Sequence, residues 1–230
     1  MSAAAIHLDS VGVRLGEVDV LHDVSLDLDT RTVAVIGENG SGKSTFARLL
    51  GGLIARTSGD LSILRFDPAK HARVLRRRIA LVFSNPDAQI VMPTVAEDVA
   101  FSLRAERLGR DEITERVDAA LDRFGLGALA ERPSHDLSGG QKQLLALCGA
   151  FVRRPDLVIA DEPTAYLDAR NARRVADHLF ESAGHRLVLV THDLALAARC
   201  DSAVLFGDGR VRAVGETSRI LAEYEAMLEC

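Results

Sequence analysis

The chain has 230 residues, enough for one domain, or for a core with an inserted subdomain, to bury a sizeable interior. With 47% hydrophobic and 27% charged residues it reads as globular rather than disordered or fibrous, and no apolar run approaches the roughly 20 residues of a membrane-spanning helix. A net charge of -5 speaks against a general nucleic-acid binder, so no nucleic-acid partner is expected.

The start, Met1 to His7, has neither a basic region nor an apolar core of the secretory kind, and residence in the cytosol is expected. Alternating residues over Ile6 to Val13 and Val24 to Leu28 suggest antiparallel strands with one face on a core. Thr32 to Ile36 is a continuous apolar run that ends at Gly37, as a buried parallel strand does. Ser44 to Leu53 follows as a helix, with Phe46, Leu49, Leu50 and Leu53 at helical spacing. Arg73, Arg76, Arg77 and Arg78 form the densest basic run and read as a solvated helix face before the buried strand Ile79 to Phe83.

Residues 85 to 137 hold no comparable strand and read as helical, notably Glu112 to Phe124. Strand and helix signals then resume with the apolar helix Leu144 to Val152, the strand Leu157 to Ala160, the helix Asn171 to Ser182 and the strand Leu187 to Val190. A hairpin, Ala203 to Phe206 and Arg210 to Val214 around Gly207-Asp208-Gly209, closes the pattern. The expected fold is α/β with a mostly parallel sheet, an antiparallel β subdomain and an inserted helical subdomain. Residues 1–84 and 153–230 would form the core and residues 85–152 the insertion. Cys148, Cys200 and Cys230 match no disulfide or zinc spacing and read as ordinary thiols, with Cys148 on an apolar helix face.

Gly37-Glu38-Asn39-Gly40-Ser41-Gly42-Lys43-Ser44 has the spacing of a phosphate-binding loop, in the strand–turn–helix context that such a loop requires. Backbone amides around Gly37, Asn39, Gly40, Ser41 and Gly42, and on to Thr45, would surround the phosphates of a nucleotide at a helix N-terminus. Lys43 would add a point charge for the β- and γ-phosphates, and the Ser44 hydroxyl could ligate Mg²⁺. The strand before Asp161-Glu162 would deliver two carboxylates to its carboxyl end, Asp161 for the Mg²⁺ shell and Glu162 to orient or deprotonate water. Thr191-His192-Asp193 is another polar tip at that sheet edge. Ser138-Gly139-Gly140-Gln141 opens a helix, and its hydroxyl, amides and dipole make a second anion site.

A phosphate-binding loop followed by Leu137-Ser138-Gly139-Gly140-Gln141 resembles the ABC-type ATPases, and the resemblance runs the length of the chain. It implies a P-loop NTPase core and a head-to-tail dimer with a second copy or a related ATPase. In such a dimer Ser138, Gly139, Gly140 and Gln141 contact the ATP of the opposite subunit. His192 takes the position of the family's switch histidine, and Asp168, in Ala165-Tyr166-Leu167-Asp168, lies on the D-loop along the dimer seam. Ser84-Asn85-Pro86-Asp87-Ala88-Gln89 and Pro93 to Phe101 look like the coupling segment of energy-coupling-factor (ECF) ATPases. That resemblance implies a peripheral subunit on the cytoplasmic face of the membrane, working with an integral coupling subunit and a substrate-binding membrane subunit. The cargo would be a micronutrient, with biotin favoured by the short length, and cobalt, nickel or another vitamin as alternatives. Ser84, Asn85, Pro86, Asp87 and Gln89 would make the membrane-subunit coupling.

The chain departs from the family at two positions. Ser84 stands where the family has a glutamine, and would reach Mg²⁺ only through a water. Leu15 stands where an aromatic residue stacks on adenine. Two other readings stay open here: an ABC ATPase without transport, and an assembly subunit that turns over little.

Overall fold

The computed structural model describes residues 4–181 and 184–228. Met1, Ser182 and Cys230, named above, lie outside them. The chain begins with β1 (Ile6–Leu15), β2 (Val18–Leu28), β3 (Thr32–Gly37), α1 (Lys43–Leu50), β4 (Ser58–Ile63), α2 (Pro68–Arg78) and β5 (Ile79–Phe83). It continues through α3 (Val95–Ser102), α4 (Arg110–Arg123), α5 (Gly139–Phe151), β6 (Leu157–Asp161), α6 (Ala169–Phe180) and β7 (Arg186–Val190). The last elements are α7 (Leu194–Ala197), β8 (Ser202–Gly207), β9 (Arg210–Glu216) and α8 (Thr217–Leu228). Two compact units result: one from the chain up to Ile79, Leu157–Asp161 and Arg186 onward, the other from Ala80–Asp156 and Glu162–His185.

In the first unit the strands β6, β7, β3, β8 and β9 lie side by side in that order, parallel up to β8, with β9 antiparallel as a hairpin. All six residues of β3 are buried, which is why its sequence is a continuous apolar run rather than an alternation. A separate antiparallel sheet, β2-β1-β4, packs its own alternating residues inward: Ile6, Leu8, Val11 and Val13 from β1, Val24, Leu26 and Leu28 from β2. The α/β class with a mostly parallel sheet and an antiparallel partner sheet agrees with the sequence.

Several element bounds differ from expectation for local reasons. β1 and β2 run on to Leu15 and back to Val18, through a tip where Leu15 pairs with Val18 and Arg14 with Asp19. Those four residues are exposed, so the inward alternation fades before the strands end. Helix α1 stops at Leu50 rather than Leu53, because Gly52 takes a left-handed φ of 70° and the Leu53 N–H bonds back to the Arg48 carbonyl. β4 buries only Leu61 and Ile63, and α2 only Leu75, too few apolar positions to show a period. Arg73, Arg76 and Arg77 are exposed and Arg78 half-buried, as a solvated helix face requires.

The second unit is a helical body. Thr94 and Glu97 close a capping box at the start of α3. Asp98, 6% exposed, uses one carboxylate oxygen to accept the N–H groups of Val91 (2.8 Å) and Met92 (3.0 Å), and the Ser134 hydroxyl donates to the Met92 carbonyl at 2.7 Å. Buried Phe124 and Phe151 pack as tilted rings 5.9 Å apart, with His178 against Phe124. Cys148 here and Cys200 in the first unit are buried thiols, and burial pushes both up to about 12.

Replacing Asp98 by alanine strands two backbone donors, and should destabilise the chain by about 2–3 kcal/mol in a urea titration. A loss under about 0.5 kcal/mol would mean that water reaches Val91 and Met92 once the carboxylate is gone.

Candidate nucleotide site

β3 ends at Gly37, where φ is 141° and an added Cβ would lie 2.2 Å from the Phe206 carbonyl oxygen of β8. Only glycine fits both constraints. The loop then turns through Gly40 (φ 81°) and Gly42 (φ 102°); Gly42 is the left-handed N-cap of α1, and no side chain caps that helix. The first N–H groups of α1 are thus left to a ligand. Space around Gly40 is open, whereas Gly42 packs on Leu21. Asn39 and Gly40 are exposed, while Ser41 and Thr45 are buried. The Ser41 hydroxyl is buried with no hydrogen-bond partner among the described residues, as a group that awaits an acceptor would be.

Lys43 is 7% exposed and its ammonium donates to the Gly37 and Glu38 carbonyls, both at 2.7 Å, so the charge is folded over the loop. The next residue, Ser44, donates to Asp161 Oδ1 at 3.1 Å. Strand β6 places Asp161 there by pairing in parallel register with β7, Asp161 opposite Val190. A hydroxyl and a carboxylate beside a phosphate loop suit Mg²⁺, which takes few protein ligands and keeps phosphates and waters. No cluster of three or more His, Cys, Asp or Glu residues capable of holding a metal occurs among the described residues. Past β7, Thr191 is fully buried and its hydroxyl accepts the Asp193 N–H at 3.0 Å, while Asp193 caps α7. His192 is exposed between these two anchors. Leu15, 40% exposed, sits at the β1–β2 tip.

The second unit carries the other group of expected residues. Glu162 is half-buried with a left-handed φ of 51°, and its carbonyl accepts the Ala165 N–H. Ser138 caps α5 through a capping box in which its hydroxyl accepts the Gln141 N–H at 3.4 Å and Gln141 Oε1 accepts the Ser138 N–H at 2.9 Å. Gly139 is exposed; a Cβ on Gly140 would lie 2.4 Å from the Asn171 side chain. Asn171 in turn gives Asp168 two hydrogen bonds, backbone at 2.9 Å and side chain at 2.6 Å. Signature glycine and D-loop carboxylate therefore meet on one asparagine.

The segment after β5 is tied to the same helix. Lys142 donates to Asp87 at 2.7 Å, and Gln143, 1% exposed, donates to the Phe83 carbonyl at 3.0 Å. Asn85 caps the short turn Pro86–Ala88, and Ser84 is half-buried. Gln89 extends β5, accepting from the Phe83 N–H (2.8 Å) and donating to the Leu81 carbonyl (2.9 Å). Asn171, Lys142 and Gln143 were not singled out in the sequence. The Asp-x-x-Asn cap spacing could have flagged Asn171; nothing local marks the other two.

The ABC transporter family model matches residues 21–165. Among similar proteins, a biotin transport ATP-binding protein, BioM, of Rhizobium etli is 37% identical over 95% of this chain and 97% of its own. The energy-coupling factor transporter ATP-binding protein EcfA1 of Lacticaseibacillus paracasei is 40% identical over 88% of this chain and 74% of its own. Of solved structures, that of cbiO1 from Clostridium perfringens, described as part of the ABC transporter complex cbiONQ, superposes with a TM-score of 0.86 at 30% identity, over 98% of this chain and 94% of that one.

Hydrogen bonds from the Asn171 backbone and side chain hold the Asp168 carboxyl below the usual carboxylate range. The folded value is the lower one, so the cap is complete above the unfolded value of about 4 and is lost as pH falls through the folded value. Asn171→Ala should raise the Asp168 midpoint toward that ordinary value in an NMR titration; an unmoved midpoint would assign the depression to another donor.

Proposed function

The chain belongs to the ABC transporter ATP-binding family, whose members are ATPases coupled to transport, and on that premise we propose that it powers an ECF-type importer. The observation that carries this reading is the Lys43–Ser44–Asp161 arrangement at the mouth of an uncapped helix, in a chain whose signature helix is bonded to an ECF-like segment. Support for the ECF branch comes from likeness to EcfA1, and biotin is the favoured cargo on likeness to BioM.

In this reading ATP lies along the Gly37–Thr45 loop. Backbone N–H groups of the loop and of the first turn of α1 take the phosphates, the Ser41 hydroxyl gains its missing acceptor, and Lys43 leaves its two carbonyls for the β- and γ-phosphates. Mg²⁺, held by Ser44 and Asp161 with Ser84 contributing through a water, would neutralise charge that develops on the phosphates. Glu162 accepts the proton of the attacking water, and His192 contacts the γ-phosphate. Ser138, Gly139, Gly140 and Gln141 receive the phosphates of a partner ATPase, a second copy or a related chain, in a head-to-tail dimer, with Asp168 on the seam. ATP favours the closed dimer by binding it more tightly, and hydrolysis releases it. Lys142–Asp87 and Gln143–Phe83 make the signature helix and the Ser84–Gln89 segment move together, so that closure is felt by the integral membrane subunit and the substrate-binding membrane subunit. The working place is the cytoplasmic face of the membrane.

Glu162→Gln should lower the ATPase rate by about 10²–10³-fold with ATP affinity retained. Tagged protein from the host should bring down a small transmembrane scaffold and a substrate-binding membrane protein. Hydrolysis without any membrane partner would move the assignment to an ABC ATPase outside transport; tight ATP binding with negligible turnover, even in the complex, would make it an assembly subunit.

A further inference from the structure

A second pocket lies in the first unit and takes no part in the reading above. It has a volume of about 430 Å³, and among the described residues that line it three carry guanidiniums, Arg65, Arg78 and Arg186, and one a carboxylate, Asp29. Arg186 is fixed by donating to the Asp29 and Thr30 carbonyls and, at 3.2 Å, to Asp29 Oδ1. Arg78 ends α2 with its guanidinium 5.5 Å from the centre of the Phe66 ring, which also lines the pocket.

Arg65 arrives by a different device. Ile63 and Phe66 exchange both backbone hydrogen bonds at 2.9 Å, and the two residues between them, Leu64 and Arg65, have φ values of 49° and 69°. Two central residues at positive φ make a type I′ arrangement, the turn that strongly prefers Asn-Gly or Asp-Gly. A leucine and an arginine hold the backbone there under strain, and strain of this kind concentrates at binding sites.

We propose that this pocket binds a phosphate group, carried by a small phosphorylated molecule or by the head group of an anionic lipid. Planar guanidiniums grip such oxygens in pairs, and one carboxylate leaves the lining with an excess of positive charge. Phe66 and Leu64 offer apolar wall to the rest of the ligand. The volume exceeds that of a bare phosphate and falls in the range of small-molecule sites.

The test uses the full chain with its loop saturated by magnesium and a non-hydrolysable ATP analogue, so that Lys43 cannot report the phosphate. Glycerol 3-phosphate is titrated by calorimetry, and vesicles of phosphatidylglycerol or phosphatidylcholine are co-sedimented. The double variant L64N/R65G restores the residues preferred by the turn while removing one guanidinium; it should melt at or above the wild-type temperature. R78A removes a second guanidinium. The expected result is binding by the wild type, at least tenfold weaker in either variant, with no preference for phosphatidylcholine. An effect confined to phosphatidylglycerol vesicles assigns a lipid head group, and one seen with glycerol 3-phosphate assigns a soluble ligand. No binding by the wild type, equal sedimentation with phosphatidylcholine, or binding unchanged in both variants overturns the proposal. Analogue affinity equal in all three chains separates this outcome from any failure of the nucleotide site.

Discussion

The nucleotide site depends on how closely β3 can bring its last residue to the backbone of β8. With parallel partners on both sides and all six residues buried, β3 has no freedom to shift. Its final rung pairs Gly37 with Phe206, at a separation that leaves no room for a side chain. The loop that follows inherits its direction from that rung. It is tied down again where the Gly209 N–H donates to the Ser41 carbonyl at 3.0 Å, so the turn of the β8–β9 hairpin buttresses the phosphate loop. Phe46 of α1 packs its ring, tilted, against Phe206 at 5.0 Å and fixes the helix against the same strand. Sheet, loop and helix thus share one close contact, and the helix N-terminus points where it does because that contact is tight.

The second unit solves a different problem, that of holding several loops in one shape. Side chains do this work by bonding to backbone: Gln143 and Gln89 to the end of β5, Asp98 to residues 91 and 92, Ser134 to residue 92. Buried polar groups bonded to backbone in this way specify one arrangement, since losing a partner leaves an unpaired donor or acceptor in the interior. Gly140 belongs to this logic too, because Asn171 occupies the space its side chain would need.

The apolar strands β3, β5, β6 and β7 were legible in the sequence because burial of most of their residues writes a continuous run. The turn before α1 and the cap of α5 were legible because glycines at fixed spacing before an apolar helical run leave few other local readings. β4, α2 and α8 were not, since each buries only one or two residues and shows no period. The Leu64–Arg65 turn was invisible for the opposite reason: its conformation contradicts the residues that form it. Gln89 could be read as available for coupling, but only the fold shows both ends of its amide bonded to β5. Bonds such as Lys142–Asp87, 55 positions apart, follow from tertiary packing and leave no local trace.

Burial sets how Cys148 and Cys200 meet oxidants. With Cys148 and Cys200 pushed up to about 12, the thiolate fraction at neutral pH is on the order of one in 10⁵. Peroxides and mixed disulfides react with thiolate, so these two sulfurs are poor targets while the chain stays folded. They serve as small apolar side chains, and through them the redox poise of the cell has no lever on ATP turnover.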